Sequence, residues 1–270
     1  MSRRRAFLDF AAGDADAYKE ELRRYQELAR WLEASGAKYG LPGRLDELDE
    51  AARETLVAVY EGETQIALTP TALSPPASLL LPRLLIDVSS SPGLKKTSAN
   101  FLALLTDDKK LVSKRAPNPQ LRYRGTPVFR IDKGFVAQTG DVTRHDGSGG
   151  ESIYGGAFND EKDGLKVPFQ LGTVAMANSG KNSNTSQVLP AFSKSPAALS
   201  LTLDASLQFF VTLTSDPAKL KKLTGKYVAY GQVDLADEGS RACLERLDAL
   251  ADGKGGTTVK VWIDDCNVLP

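Results

Sequence analysis

The chain has 270 residues, with 34 Lys and Arg against 34 Asp and Glu, so its formal net charge at pH 7 is zero. This balance excludes the strongly basic surface with which proteins gather nucleic acid or anionic membrane. The single histidine, His145, excludes metal sites built from two or three imidazoles, and any Ser-His-Asp or Cys-His arrangement would have to use it.

Two amphipathic helices are predicted near the start. Over residues 14–35 apolar side chains recur at alternating steps of four and three, and Gly36 is a stop signal. After a break at residues 40–43, a second apolar stripe runs over residues 45–59. We expect a helical hairpin over residues 1–60, as an N-terminal extension. Its stripes either pack on the rest of the chain or form a docking surface for a protein partner.

The pattern changes after Gly62, where short apolar and polar alternations replace the helical spacing. Residues 84–88 have the composition of a buried strand. Further strand candidates are residues 127–131, 135–138, 172–176, 208–213, 227–233 and 259–263. Short strands at this spacing predict a barrel or a sandwich over residues 61–270.

Helical patterns interrupt these strands around residues 98–106 and 241–251, where they could plug the ends of a barrel. Two tracts look inserted: the polar residues 107–120 and the Ser-, Ala- and Leu-rich residues 188–207. The second tract either extends substrate contacts, docks a partner or obstructs a nearby site, or is a tolerated surface loop.

Cysteine usage and the N-terminus bear on the compartment. Cys243 and Cys266 lack the spacing of a zinc knuckle or a redox pair, which favours a reducing compartment. The arginines at positions 3–5 resemble the start of an organellar targeting segment, but acidic residues follow at once. No apolar run approaches the roughly 20 residues needed to span a bilayer. We expect a cytoplasmic protein, with neither membrane nor nucleic acid as partner.

The most distinctive stretch is FRIDKGFVAQTGD at residues 129–141, followed by TRHDGSGG at residues 143–150. Together with later strings in the same order, it resembles the central signature of the cyclophilin family of peptidyl-prolyl isomerases. The resemblance runs from about residue 61 to the C-terminus, and we recognise no counterpart for the first 60 residues. The later strings are residues 152–155, 174–180, 208–210, 223–226, 230–231 and 263–266.

The resemblance implies a mainly β fold, an eight-stranded antiparallel barrel capped by two helices, to which the N-terminal helical hairpin is added. It also implies site residues, position by position. Catalytic roles fall on Arg130, Phe135, Gln138 and Phe210. Positions that line the proline groove fall on Val136, Ala177, Asn178, Gln208, Lys222, Leu223 and Tyr227.

One assignment is ambiguous, because Ser186-Gln187 and Gln208 each match part of one family string. Gln208 is favoured, since it lies two residues from Phe210 and alternate strand residues share a face. By the same alternation Val136 and Gln138 share a face, which sets an apolar floor beside an amide.

Three groove positions depart from the family pattern. Val136 replaces a methionine, Tyr227 replaces a histidine, and Lys222 replaces the tryptophan that contacts cyclosporin. Loss of that flat hydrogen-bonding wall predicts weak cyclosporin binding. His145 becomes a structural neighbour of the site, since the family's groove histidine is the one that is replaced.

The implied reaction needs no nucleophile and no metal or organic cofactor. Rotation about an X-Pro bond faces a barrier of about 18–20 kcal/mol from amide resonance, and an enzyme lowers it by favouring the twisted state. An arginine can donate toward the prolyl nitrogen while it stays protonated, and Arg130 is the candidate.

We therefore expect a peptidyl-prolyl cis-trans isomerase whose clients are proline-containing peptides or proteins. The alternative is a catalytically weak or inactive proline-binding or scaffold module of a larger assembly. Lys222, Tyr227, the inserted tract and the helical extension motivate this alternative.

Overall fold

The computed structural model describes residues 4–113, 120–156, 158–177 and 208–270. The chain divides into two compact units: Met1–Ala12 with Leu80–Pro270, here the barrel unit, and Gly13–Leu79, here the helical unit. The sequence pattern predicts a single boundary, at residue 60. None of the helices in the described ranges combines the length and the apolar character needed to cross a bilayer.

Within the described residues, the barrel unit contains one sheet of eight antiparallel strands in the order β3-β4-β6-β5-β7-β2-β1-β8. Two backbone hydrogen bonds connect the segment just before β3 to β8, the last strand in this order. Val128 N–H donates to the Val261 carbonyl at 2.8 Å, and Ile263 N–H donates to the Thr126 carbonyl at 2.9 Å. The predicted barrel is thus confirmed. The strands are β1 Arg4–Ala12, β2 Leu84–Val88, β3 Arg130–Asp132, β4 Val136–Thr139, β5 Thr173–Met176, β6 Phe209–Thr212, β7 Ala229–Val233 and β8 Val261–Val268.

Strand β1 was not predicted from the sequence. Its alternate residues Ala6, Leu8 and Phe10 are buried in the barrel core. It pairs with β2 on one side and with β8 on the other. Residues 4–12 therefore belong to the sheet, and the helical unit lies in the chain between two strands that are hydrogen-bonded neighbours.

Two helices close the barrel, as predicted. The helix α3, Lys95–Thr106, contributes Phe101 and Leu104 to the core, and α6, Glu238–Ala249, contributes Cys243 and Leu247. Cys243 and Cys266 are free and buried, and burial raises the pKa of each thiol to about 12. The short helices α4 and α5 span Lys162–Leu165 and Pro217–Lys221.

The helical unit contains α1, Ala15–Ser35, and α2, Glu50–Thr64. Each helix begins at an aspartate whose carboxylate accepts backbone N–H groups of the first turn, Asp14 for α1 and Asp49 for α2. The predicted helical pair is confirmed, and the two apolar stripes pack together in one core. Its buried residues are Leu28, Leu32, Leu41, Leu45, Leu48, Leu56 and Tyr60.

Candidate functional site

Strand alternation sorts the side chains of β4 to β7 onto two faces. On β6, Phe209 and Val211 point into the barrel core, whereas Phe210 points outward. On β5, Val174 lies in the core and Ala175 lies outside. The outward side chains form a second apolar group, here the outer cluster. Its members are Val136, Phe169, Ala175, Ala177, Phe210, Leu220, Leu223 and Ala229, with Phe135 and Tyr227 partly buried against it.

Phe210 lies between two other aromatic rings. The Phe169 ring lies nearly parallel to it, with centroids 6.1 Å apart and an interplanar angle of 16°. The Tyr227 ring meets it edge-on at 5.1 Å and 86°. Sequence reasoning missed Phe169, because it stands in a short irregular segment without a motif. Phe210 therefore contributes to an aromatic group on the outer face of the sheet, a kind of surface against which apolar rings pack favourably.

Arg130 borders this cluster. Its register partner across the β3–β4 pair is Gln138, so the two side chains share a face. The guanidinium makes a long ion pair with Asp132, at 3.5 Å, and the side chain is 31% exposed. Burial raises the pKa of the Tyr227 phenol, and the nearby positive charge of Arg130 opposes this shift without reversing it. Arg130 thus retains donors that can face a ligand.

Gln138 and Gln208 are buried and joined by a hydrogen bond of 2.8 Å. Gln208 also donates to the backbone carbonyls of Gly147 and Gly149, at 2.7 and 3.0 Å. The second predicted glutamine is therefore linked to the loop that follows β4.

Asp141 organises that loop. Its carboxylate accepts five backbone N–H groups, at 2.9 to 3.2 Å. Burial acts to raise its pKa, but these hydrogen bonds outweigh burial and lower it. The donors are the backbone groups of Thr143, Arg144, Asp146, Gly147 and Gly149.

Phe135 follows a tight turn that two other elements hold. The N–H of Gly134 donates to the Asp248 carboxylate at 2.6 Å, and its carbonyl accepts from the Lys219 ammonium at 2.8 Å. Asp248 belongs to α6 and Lys219 to α5. These contacts tie Phe135 to the helix that carries Leu220 of the outer cluster.

The structure thus brings most predicted site residues together, either in the outer cluster or at its border. Lys222 is different, because it is exposed while its neighbour Leu223 is buried in the cluster. His145 is exposed in the loop around Asp141, with a φ of 65°. Asn178, Gln187 and the tract 188–207 lie outside the described residues.

The described residues contain no group of three or more His, Cys, Asp or Glu side chains placed to hold a metal ion. The site combines an apolar cluster, a cationic donor and a buried amide, which together can bind an apolar ring and the polar backbone next to it. The family described as cyclophilin type peptidyl-prolyl cis-trans isomerase/CLD matches residues 93–268. This match contains β3 to β8 and every predicted site residue.

Proposed function

We propose that this chain, which belongs to the cyclophilin-type peptidyl-prolyl cis-trans isomerase family, is an active isomerase of X-Pro bonds in peptides or proteins. The observation that carries the proposal is the position of Arg130 at the border of the outer cluster, opposite Gln138 in register. A hydrogen-bond donor beside an apolar clamp is sufficient to favour the twisted state of a prolyl amide.

The proposed mechanism stabilises the twisted amide. The outer cluster holds the proline ring against Phe210, which anchors the substrate without polar contacts. Arg130 donates to the prolyl amide as its nitrogen loses conjugation, and this interaction is stronger in the twisted state than in either planar isomer. Gln138 binds the adjacent backbone. The reaction transfers no proton, so we expect the replacement of the groove histidine by Tyr227 to have little effect on the chemical step.

Tyr227 and Lys222 adapt the groove in different ways. Burial raises the pKa of Tyr227, so its phenol stays neutral near pH 7 and can donate one hydrogen bond. Lys222 offers an exposed ammonium where the family pattern has an indole. We therefore expect weak cyclosporin binding together with retained isomerisation of short peptides.

The test is exchange spectroscopy on an Ala-Pro peptide with the intact protein. We expect Arg130→Ala to lower kcat/KM by about 100-fold, the usual effect of removing one transition-state donor. Arg124→Ala is the matched control. Arg124 also forms an ion pair with an aspartate of the barrel unit, Asp265, but this pair is exposed and Arg124 is not among the predicted site residues. Absence of acceleration by the intact protein would overturn the proposal.

A second candidate is a proline-binding scaffold of a larger assembly. The helical unit favours it, since this unit has its own buried core and lies outside the family match. Two results together would favour this candidate: the protein shows no isomerase turnover, and a partner co-purifies with the intact chain but not with a variant that lacks residues 13–79. Removal of residues 1–60 is not a clean test, because it also deletes β1.

A further inference from the structure

Two buried carboxamides, Gln138 and Gln208, stand between the outer cluster and the loop around Asp141. Gln208 is 0% exposed and Gln138 is 3% exposed. Gln208 reaches Gly147 and Gly149 through Nε2 and Gln138 through Oε1. Its polar atoms are therefore all engaged within the protein.

The chemistry of these partners fixes the orientation of both amides. A backbone carbonyl oxygen can only accept a hydrogen bond, so the NH₂ group of Gln208 must face Gly147 and Gly149. Its carboxamide oxygen must then face Gln138. Gln138 therefore has to present its own NH₂ group, because two oxygens would repel each other. Flipping either amide would break the chain of bonds.

The two loop carbonyls are themselves held in place. The N–H groups of Gly147 and Gly149 donate to the buried Asp141 carboxylate, at 2.9 and 3.0 Å. The same two residues therefore bind Asp141 through nitrogen and Gln208 through oxygen. Rigid support of this kind keeps a binding group within the narrow range of geometry that it needs.

We propose that Gln208 is a positioning residue, not a substrate contact, and that it orients the Gln138 amide toward the groove. The inference rests on the proposed isomerase function. With one N–H of Gln138 bound to Gln208, its carboxamide oxygen and its second N–H serve the substrate backbone. Because Gln138 lies opposite Arg130, substrate meets this amide and the guanidinium on one face.

The first test is a double-mutant cycle in kcat/KM. We expect Gln208→Met to lower kcat/KM by about tenfold in the native background, which corresponds to the loss of one net hydrogen bond. In the Gln138→Ala background the same change should have less than about a twofold effect, because the group that Gln208 orients is absent. Equal losses in the two backgrounds would overturn the proposal. Gln26→Met, at an exposed glutamine of α1, is the control.

The second test does not depend on catalysis. The side-chain amide signals of Gln138 in a ¹H–¹⁵N spectrum are assigned by their loss in Gln138→Ala. We expect Gln208→Met to shift them toward the positions of an exposed glutamine, and an unchanged signal contradicts the proposal. If the intact protein does not accelerate isomerisation, the proposed function fails while this spectrum still tests the orientation. If Gln208→Met does not fold, Gln208→Ala takes its place, because it also removes the acceptor for Gln138 and the donors to the loop carbonyls without adding a buried charge.

Discussion

At the scale of single residues, buried polar groups build the border of the site. Asp141 is fully buried and still charged, because backbone N–H groups replace the water that it has lost. Its hydrogen bonds lower its pKa against the effect of burial, so the folded state favours the ionised carboxylate. The conformation of the loop over residues 143–149 therefore depends on this ionised side chain.

This dependence predicts a response to acid. The folded pKa of Asp141 lies below the ordinary value, about 3.9 in an unfolded chain, so its contribution is complete above that value and is lost as the pH falls through the folded pKa. We expect Asp141→Asn to lower the free energy of unfolding by about 2–3 kcal/mol at pH 7, and by less at pH 3. Urea denaturation at both values checks this.

The control for this experiment is Asp264→Asn, at an exposed aspartate of β8. It should leave the free energy of unfolding nearly unchanged at both pH values. A loss at pH 3 as large as the loss at pH 7 would show that the Asp141 carboxylate does not act through its charge.

At the scale of elements, the β3–β4 turn presents Phe135 to the outer cluster. The N–H of Phe135 donates to Asp132 at 2.9 Å, and Gly134 between them has a φ of +63°. A positive φ at this position of a turn favours glycine. Neighbouring atoms are not the constraint, since an added Cβ would meet only the Lys219 ammonium, at 3.5 Å.

We therefore expect Gly134→Ala to lower the free energy of unfolding by about 1–2 kcal/mol, the cost of a left-handed conformation for an L-residue. Chemical denaturation measures it. Gly43→Ala is the control, because Gly43 has open space around it and no positive φ, and it should cost little. If both substitutions lowered the free energy of unfolding equally, the left-handed conformation of Gly134 would not be the cause of the loss.

At the scale of the whole molecule, the helical unit interrupts the chain between adjacent strands. Ala11 and Leu80 form an antiparallel bridge, and Leu81 N–H donates to Phe10 at 2.8 Å. The ends of the interruption are thus as close as the ends of a hairpin loop. The buried residues of the barrel core come from β1 and from the chain after Leu80.

We expect a variant in which Asn-Gly replaces residues 13–79 to fold cooperatively, since Asn-Gly is a favoured short hairpin connection. Circular dichroism and thermal denaturation measure folding, and kcat/KM should stay within about threefold of the intact chain because the proposed site is unaltered. A truncation that removes residues 1–79 is the contrasting variant and should not fold stably, because it deletes the buried Leu8 and Phe10 of β1. Failure of the Asn-Gly variant to fold would contradict the independence of the barrel unit.

Much of this protein follows from local pattern. The two amphipathic helices, the strand alternation that sets Phe210 apart from Phe209, and the motif around Arg130 can all be recognised in short windows of sequence. These windows work because helix and strand periods repeat within a few residues. The family, the eight-stranded barrel and the predicted site residues come instead from the resemblance of the motif around Arg130 and the later strings to the cyclophilin signature.

Tertiary structure decided what depends on distant partners. Strand β1 is a strand because Leu8 pairs with Leu84 and Ala6 with Val268, neither of which is near in sequence. Phe169 joins the outer cluster only because the fold lays its ring against Phe210. Gln208 is a link between Gln138 and the Asp141 loop because three separate segments meet there. Hydrogen bonds and packing between remote segments leave no period in the sequence, so only the folded chain reveals them.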